Sequence, residues 1–174
     1  RNRRVLILLS NPAPYSSGDA TVRIVRPPKP ATTSKKLVAE TDFAGVASIG
    51  ARNYQQDAYS FCDPADTPDG ELLLVLADGM GGHRGGSEAS QTVVTTFFNQ
   101  WFDSKATVDR ERLIESMQVA NEHLRIKAEA NPEELDGMGC TLIATVIRGM
   151  TLRWISVGDS PLFLYRKGQL IRLK

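Results

Sequence analysis

The chain has 174 residues, of which 41% are hydrophobic and 24% charged, and its net charge is +1. Those proportions suit one soluble globular domain with an appendage. So even a balance gives no argument for binding nucleic acid or a membrane surface. The charge is unevenly placed. Residues 1–40 hold eight Lys/Arg against two Asp/Glu (+6), and residues 41–174 hold thirteen against eighteen (−5). Two cysteines, Cys62 and Cys140, form neither a disulfide framework nor a CxxC metal pair. That usage fits a reducing compartment, and a cytoplasmic location is expected.

The apolar run Val5–Leu9 follows basic residues but falls short of the ~7–15 residues of a secretory core. No stretch approaches the ~20 apolar residues of a membrane span. Val5–Leu9 and Thr21–Val25 are short strand candidates within a segment otherwise rich in Pro, Ser and Thr, "NPAPYSSGDA" and "RPPKPATTSKK". Residues 1–40 therefore read as a basic extension or linker, and residues 41–174 as the folded domain.

Phe43–Ser48 and Ala58–Phe61 are strand candidates either side of the polar "IGARNYQQD", and Asp63–Gly70 is a turn-rich loop. Glu71–Ala77 lacks polar alternation, so both faces of this strand are expected to be covered, with Asp78 closing it. A helix is expected from an N-cap at Ser87, its stripe running through Ala89, Val93, Val94, Phe97, Phe98 and Trp101. A second spans Asp109 to Ala130, with Leu113, Met117, Ala120, Leu124 and Ala128 on one face. Strands then follow at Thr141–Ile147, Thr151–Val157, Leu162–Arg166 and Gln169–Leu173, the last two joined by Lys167-Gly168. Strands, two helices and a meander predict an α+β fold with largely antiparallel sheet.

Several chemistries are excluded. Neither cysteine has an arginine six residues on, and there is no P-loop lysine, HExxH or Gly-x-Ser-x-Gly. His123 lies in mid-helix, where a structural or exposed role is expected. The acids are more informative. Asp57 opens a strand, Asp78 and Asp159 end apolar strands, and the latter two directly abut glycine. One strand-end acid is as easily a turn former or a helix cap. Three of them make a divalent-cation site the stronger reading, since hard cations take carboxylate and backbone carbonyl oxygens. Asp78-Gly79 offers both kinds side by side, and glycine lets the carbonyl turn. Arg52, five residues before Asp57, has the forked donors that grip phosphate. Taken alone it is an ordinary surface arginine.

"GARNYQQDAY", "LADGMGGHRGGSEAS", "GCTL" and "VGDS" stand in the order and approximate spacing of the metal-dependent protein phosphatases. Over about residues 43–174 the chain resembles this type 2C or PPM family, and its bacterial branch most. The resemblance implies an αββα sandwich of two antiparallel sheets flanked by helices, with a binuclear Mg²⁺ or Mn²⁺ centre at one end. By the same resemblance, Asp78 bridges the two metals, the Gly79 carbonyl binds one, and Asp57 holds the centre largely through water. Arg52 binds substrate phosphate, and Asp159 serves a third, weaker metal site. The implied reaction is direct hydrolysis of phosphoserine or phosphothreonine in proteins by a metal-activated water, opposing a Ser/Thr kinase.

The sequence departs from the family at several points. Gln56 stands where the family commonly has Glu, "GCT" replaces a more usual Gly-Thr-Thr, and Pro161 replaces a frequent Arg. The histidine that follows Asp-Gly in the animal enzymes is Met80 here, so His83 receives no acid role. The family also places two metal-binding aspartates further downstream. A chain ending at Lys174 is therefore expected to be incomplete at its C-terminus and to turn over little alone. The competing expectation is a non-catalytic, phosphatase-like scaffold that binds phosphoproteins. Neither a nucleic-acid partner nor a membrane span is expected, and the sequence does not indicate an oligomeric state.

Overall fold

The computed structural model describes residues 3–6, 43–47, 55–67, 70–80, 82–135, 137–166 and 168–174. Arg52, most of residues 1–40 and the Thr21–Val25 candidate lie outside them.

Among the described residues, eight strands and three α-helices follow in chain order: β1 (Arg3–Leu6), β2 (Asp57–Cys62), β3 (Leu72–Met80), α1 (Gly82–Asp103), α2 (Asp109–Ala130), α3 (Pro132–Leu135), β4 (Gly139–Cys140), β5 (Leu142–Arg148), β6 (Thr151–Val157), β7 (Phe163–Arg166) and β8 (Gln169–Arg172). One antiparallel sheet has the order β2-β3-β5-β6, with β4 also on β3, and a second has the order β1-β7-β8. The fold is thus α+β, with antiparallel sheets as expected.

The central strand β3 is covered on both sides, which its unbroken apolar run requires. Leu73, Val75 and Ala77 join Leu142, Ala144 and Val146 of β5 beneath Val93, Val94, Phe97 and Trp101 of α1 and Leu113 and Ala120 of α2. On the other face Leu72, Leu76, Ile143 and Thr145 are buried, and Phe43 meets Phe61 edge-on with ring centroids 5.1 Å apart. Side chains alternate along a strand. Asp57 and Asp78 therefore share this second face, at one end of the sheet, away from the helices.

The far end is held by charge. The indole N–H of Trp101 donates to the buried Glu71 carboxylate at 3.0 Å, and Arg148 bridges Glu71 to Asp109. Arg153 donates to Asp109 at 3.0 Å, and Arg112 lies over the Trp101 ring 4.1 Å from its centroid. This network fastens the start of α2 to the sheet. The N-cap of α2 is Val108, which makes no side-chain capping bond, but Asp109 and Glu111 in the first turn suit the helix dipole.

Several boundaries differ from expectation. Phe43–Ser48 is no full strand: Phe43 makes a single bridge, residues 44–47 are irregular and Ser48 lies outside the described residues. β3 does not close at Asp78 but runs to Met80, because Gly79 and Met80 pair with Cys140 and Gly139. Helix α1 begins at Gly82, not Ser87. The Ser87 hydroxyl instead accepts from the Gln91 side chain at 3.1 Å. The β5–β6 and β7–β8 turns are tight two-residue connections, with Gly149 at φ +56° and Gly168 at φ +81°.

Candidate functional site

Asp57 and Asp78 are direct partners across the β2–β3 ladder. The neighbouring rung fixes how close they stand. The Gly79 N–H donates to the Gln56 carbonyl at 3.1 Å, so Gln56 and Gly79 occupy a hydrogen-bonded position. Such positions alternate with non-hydrogen-bonded ones, where side chains approach most closely, at a Cα separation of roughly 4.5 Å. The two aspartates take the close position.

A regular ladder would return a second bond, from the Gln56 N–H to the Gly79 carbonyl. Here the Gln56 N–H donates to the Gln55 side-chain oxygen at 3.0 Å, and the Asp57 N–H reaches the same oxygen at 3.0 Å. At this rung the Gln55 side chain thus serves both main-chain donors. Glycine at this position has a steric reason. A Cβ on Gly79 would stand 2.0 Å from the Gly86 carbonyl oxygen and 2.7 Å from the Gln56 carbonyl oxygen. The first turns of α1 press directly on the strand at this point. A Cβ on Gly86 would in turn meet the Gln56 side-chain nitrogen at 2.7 Å, so the buried Gln56 packs into the notch between them.

The opposite edge of Asp78 is tied to the segment between β4 and β5. The Thr141 N–H donates to the Asp78 carbonyl at 2.8 Å, and the Asp78 N–H donates to the Thr141 hydroxyl at 3.1 Å. The Thr141 hydroxyl also lies 2.6 Å from that of Ser160. Asp159 sits next to Ser160 on an exposed turn after β6. Cys140 packs on the helix side; burial, and secondarily the charge of Asp78, push its thiol up to about 11.

The residues singled out in the sequence thus fall into three groups. Asp57, Asp78 and Gly79 are brought together. Asp159 is held near Asp78's strand only through its neighbour Ser160, and among the described residues no three His, Cys, Asp or Glu side chains gather as a metal-holding group. Arg52 lies outside the described residues, as do the side chains of His83 and Arg84. His123 is exposed on α2. Sequence reasoning passed over Thr141 and Ser160, because neither residue type announces a side-chain bond to a strand distant in sequence.

In kind, the donors fit a hard divalent cation: two carboxylates on facing residues and one main-chain carbonyl, all oxygen. Like charges directly opposite each other destabilise a ladder, and a cation between them removes that cost.

The protein phosphatase 2C family model matches residues 44–173. The chain is 36% identical over 104 residues to the serine/threonine protein phosphatase PstP of Mycobacterium tuberculosis, covering 60% of this chain and 20% of that protein. It is 31% identical over 112 residues to the serine/threonine phosphatase stp of Listeria welshimeri, covering 62% and 44%. A crystal structure of the PstP catalytic domain in complex with 2 manganese ions superimposes with a TM-score of 0.60 at 31% identity, covering 71% of this chain and 50% of that one. The chain therefore spans half or less of these relatives. Among the described residues no helix is long and apolar enough to cross a membrane.

Proposed function

The chain belongs to the protein phosphatase 2C family, and on that footing we propose that it carries the metal-binding part of a protein serine/threonine phosphatase. The observation that carries this reading is the Asp57–Asp78 pair at a close rung, with Gly79 next to it on the same strand. In this reading Asp78, the Gly79 carbonyl and Asp57 would hold Mg²⁺ or Mn²⁺: Asp78 as a ligand common to two ions, Gly79 as a ligand of one, and Asp57 largely through water. Asp159 serves a third, weaker site. Bound there, the ions supply Lewis acidity that makes water nucleophilic near neutral pH and offsets charge on the phosphoryl oxygens.

The chain's own residues supply position. β3 carries Asp78 on a strand buried on both faces, so the carboxylate is presented from a rigid base. The Gly79–Gly86 contact keeps bulk out of the notch beside it. Arg52, five residues before Asp57, is assigned to the substrate phosphate, where its fork suits two oxygens. The substrate is a phosphorylated protein, opposing a Ser/Thr kinase. A cytoplasmic setting accords with the two free thiols Cys62 and Cys140. Residues 1–40 are read as a basic extension, of which Arg3–Leu6 adds a strand to the edge of the β7–β8 hairpin of the phosphatase portion.

The test is hydrolysis of a phosphothreonine peptide by the full-length protein with Mn²⁺, with and without EDTA, beside Asp78→Asn. Activity abolished by both supports the reading; activity indifferent to both would overturn it. One observation favours a second reading, a scaffold that binds phosphoproteins without turnover. The neutral Gln56 stands in the family's usual Glu position, with its side chain packed at Gly86. That reading predicts phosphopeptide binding that survives EDTA, with no phosphate released at any Mn²⁺ concentration.

A further inference from the structure

We propose that Thr141 is a positioning residue for the metal-binding aspartates. Its hydroxyl forms a latch that sets the main chain of Asp78 and couples it to the turn carrying Asp159. The inference rests on the metal-dependent reading above.

The register places Thr141 opposite Asp78, continuing the β3–β5 pairing in which Leu76 meets Ile143. At a hydrogen-bonded rung the two residues exchange N–H···O=C bonds. Only half of that exchange is made here. The Thr141 N–H reaches the Asp78 carbonyl at 2.8 Å, but the Asp78 N–H donates to the Thr141 side chain at 3.1 Å. A hydroxyl, with its own rotamer and partners, thus replaces the main chain as the acceptor that fixes the Asp78 peptide.

The hydroxyl is itself held. It lies 2.6 Å from the Ser160 hydroxyl, and both residues are buried. A threonine oxygen can accept from the Asp78 N–H and still share a hydrogen with Ser160. The methyl side is held as well. Gly158 has φ +84°, and a Cβ there would stand 2.8 Å from Thr141 Cγ2, so the Gly158–Ser160 turn closes directly over the threonine. Thr141 therefore touches both segments that bear acids: β3 with Asp78 through its oxygen, and the Asp159 turn through Ser160 and Gly158. Residues that orient metal ligands commonly govern affinity by ~10–100-fold when removed.

The experiment compares Mn²⁺ affinity and amide hydrogen exchange in the unaltered chain, Thr141→Val, Thr141→Ser, Ser160→Ala and Asp78→Asn. Valine keeps the shape and removes the oxygen. Thr141→Val is expected to bind Mn²⁺ about tenfold more weakly or worse, and to lose protection of the Asp78 amide in metal-free protein. Thr141→Ser is expected to restore both, because it returns the oxygen without the methyl. Ser160→Ala is expected to weaken Mn²⁺ binding by a smaller factor while the Asp78 amide stays partly protected. If Thr141→Val does not fold, Ser160→Ala carries the same two readouts, and a folded Ser160→Ala with unchanged Mn²⁺ affinity and unchanged Asp78 amide protection overturns the proposal. Unchanged Mn²⁺ affinity in a folded Thr141→Val would overturn the proposal while leaving the metal reading intact, provided Asp78→Asn abolishes binding. A fall in affinity with the Asp78 amide still fully protected would also overturn it. Failure of the unaltered chain to bind Mn²⁺ would overturn the metal reading and the latch together.

Discussion

Asp78 stands directly opposite Asp57 on a rung of the β2–β3 ladder where no main-chain bonds intervene. Its own main chain is bonded on the other edge, to Thr141. The aspartate is therefore clamped by one neighbour and crowded by a like charge on the other. Both conditions suit the metal-holding role proposed for it.

Gly79 tests how tightly this corner is built. A Cβ there would fall 2.0 Å from the Gly86 carbonyl oxygen, which is main chain and cannot rotate away. Gly79→Ala must push the first turns of α1 off the strand. The expected cost is about 1–3 kcal/mol, typical of overpacking, read from a urea midpoint. Mn²⁺ binding should weaken in the same variant, because the displaced carbonyl is one of the donors in the proposed site. An alanine variant with native stability and native Mn²⁺ affinity would show that the notch is not needed.

The ionic network at the other end of the sheet should matter for stability and not for the metal. Glu71 is buried and receives Trp101, Arg148 and Arg112. Glu71→Ala leaves those donors without their acceptor. We expect a loss of about 2–4 kcal/mol, low in the range for breaking a buried pair because Arg148 is a third exposed. Glu71 precedes Asp78 by seven strand residues, roughly 23 Å at ~3.3 Å each, so the two sites should behave independently. Calorimetry on the folded variant should give an unaltered Mn²⁺ affinity. A large drop would mean that the ends of the sheet are coupled.

Much of this architecture was legible in the chain. The bounds of α2 match its apolar periodicity because that stripe is long and regular, and those of β6 match because a tight turn precedes it and Gly158 follows it. The start of α1 was not legible. Gly82, Gly85 and Gly86 are poor helix formers, and packing against β3 and Met138 overrides that preference. Asp78 was read as a strand end because it breaks an apolar run. It lies inside the strand because Thr141 and the β4 pairing continue the ladder past it. The meeting of Asp57 with Asp78, like the Thr141 latch, depends on register between segments distant in sequence, which local pattern does not specify.

Cys62 offers a pH-dependent check. Burial raises its thiol above the ordinary 9.0, helped by the nearby charges of Asp66, Glu71 and Asp63. Its S–H donates weakly to the Asp63 carbonyl at 3.7 Å. A folded-state value above the unfolded one means that the thiol's contribution is fully present below the unfolded value and is lost as pH rises through the folded one. Iodoacetamide should therefore modify Cys62 slowly in the folded chain at pH 8. The midpoint of its rate profile should lie above that of the urea-unfolded chain. A folded midpoint at or below the unfolded one would contradict the assigned environment.

Thermal unfolding of the unaltered chain and of Asp78→Asn, each in EDTA and in excess Mn²⁺, shows whether metal binds at the aspartate pair. Removing one of two facing carboxylates should leave the metal-free protein as stable or slightly more so, by about 0.2–1 kcal/mol. Mn²⁺ at about a hundred times its dissociation constant should add roughly 2.7 kcal/mol to the unaltered chain and little to Asp78→Asn. Equal stabilisation of both proteins by Mn²⁺ would show that the Asp57–Asp78 pair is not where the metal binds.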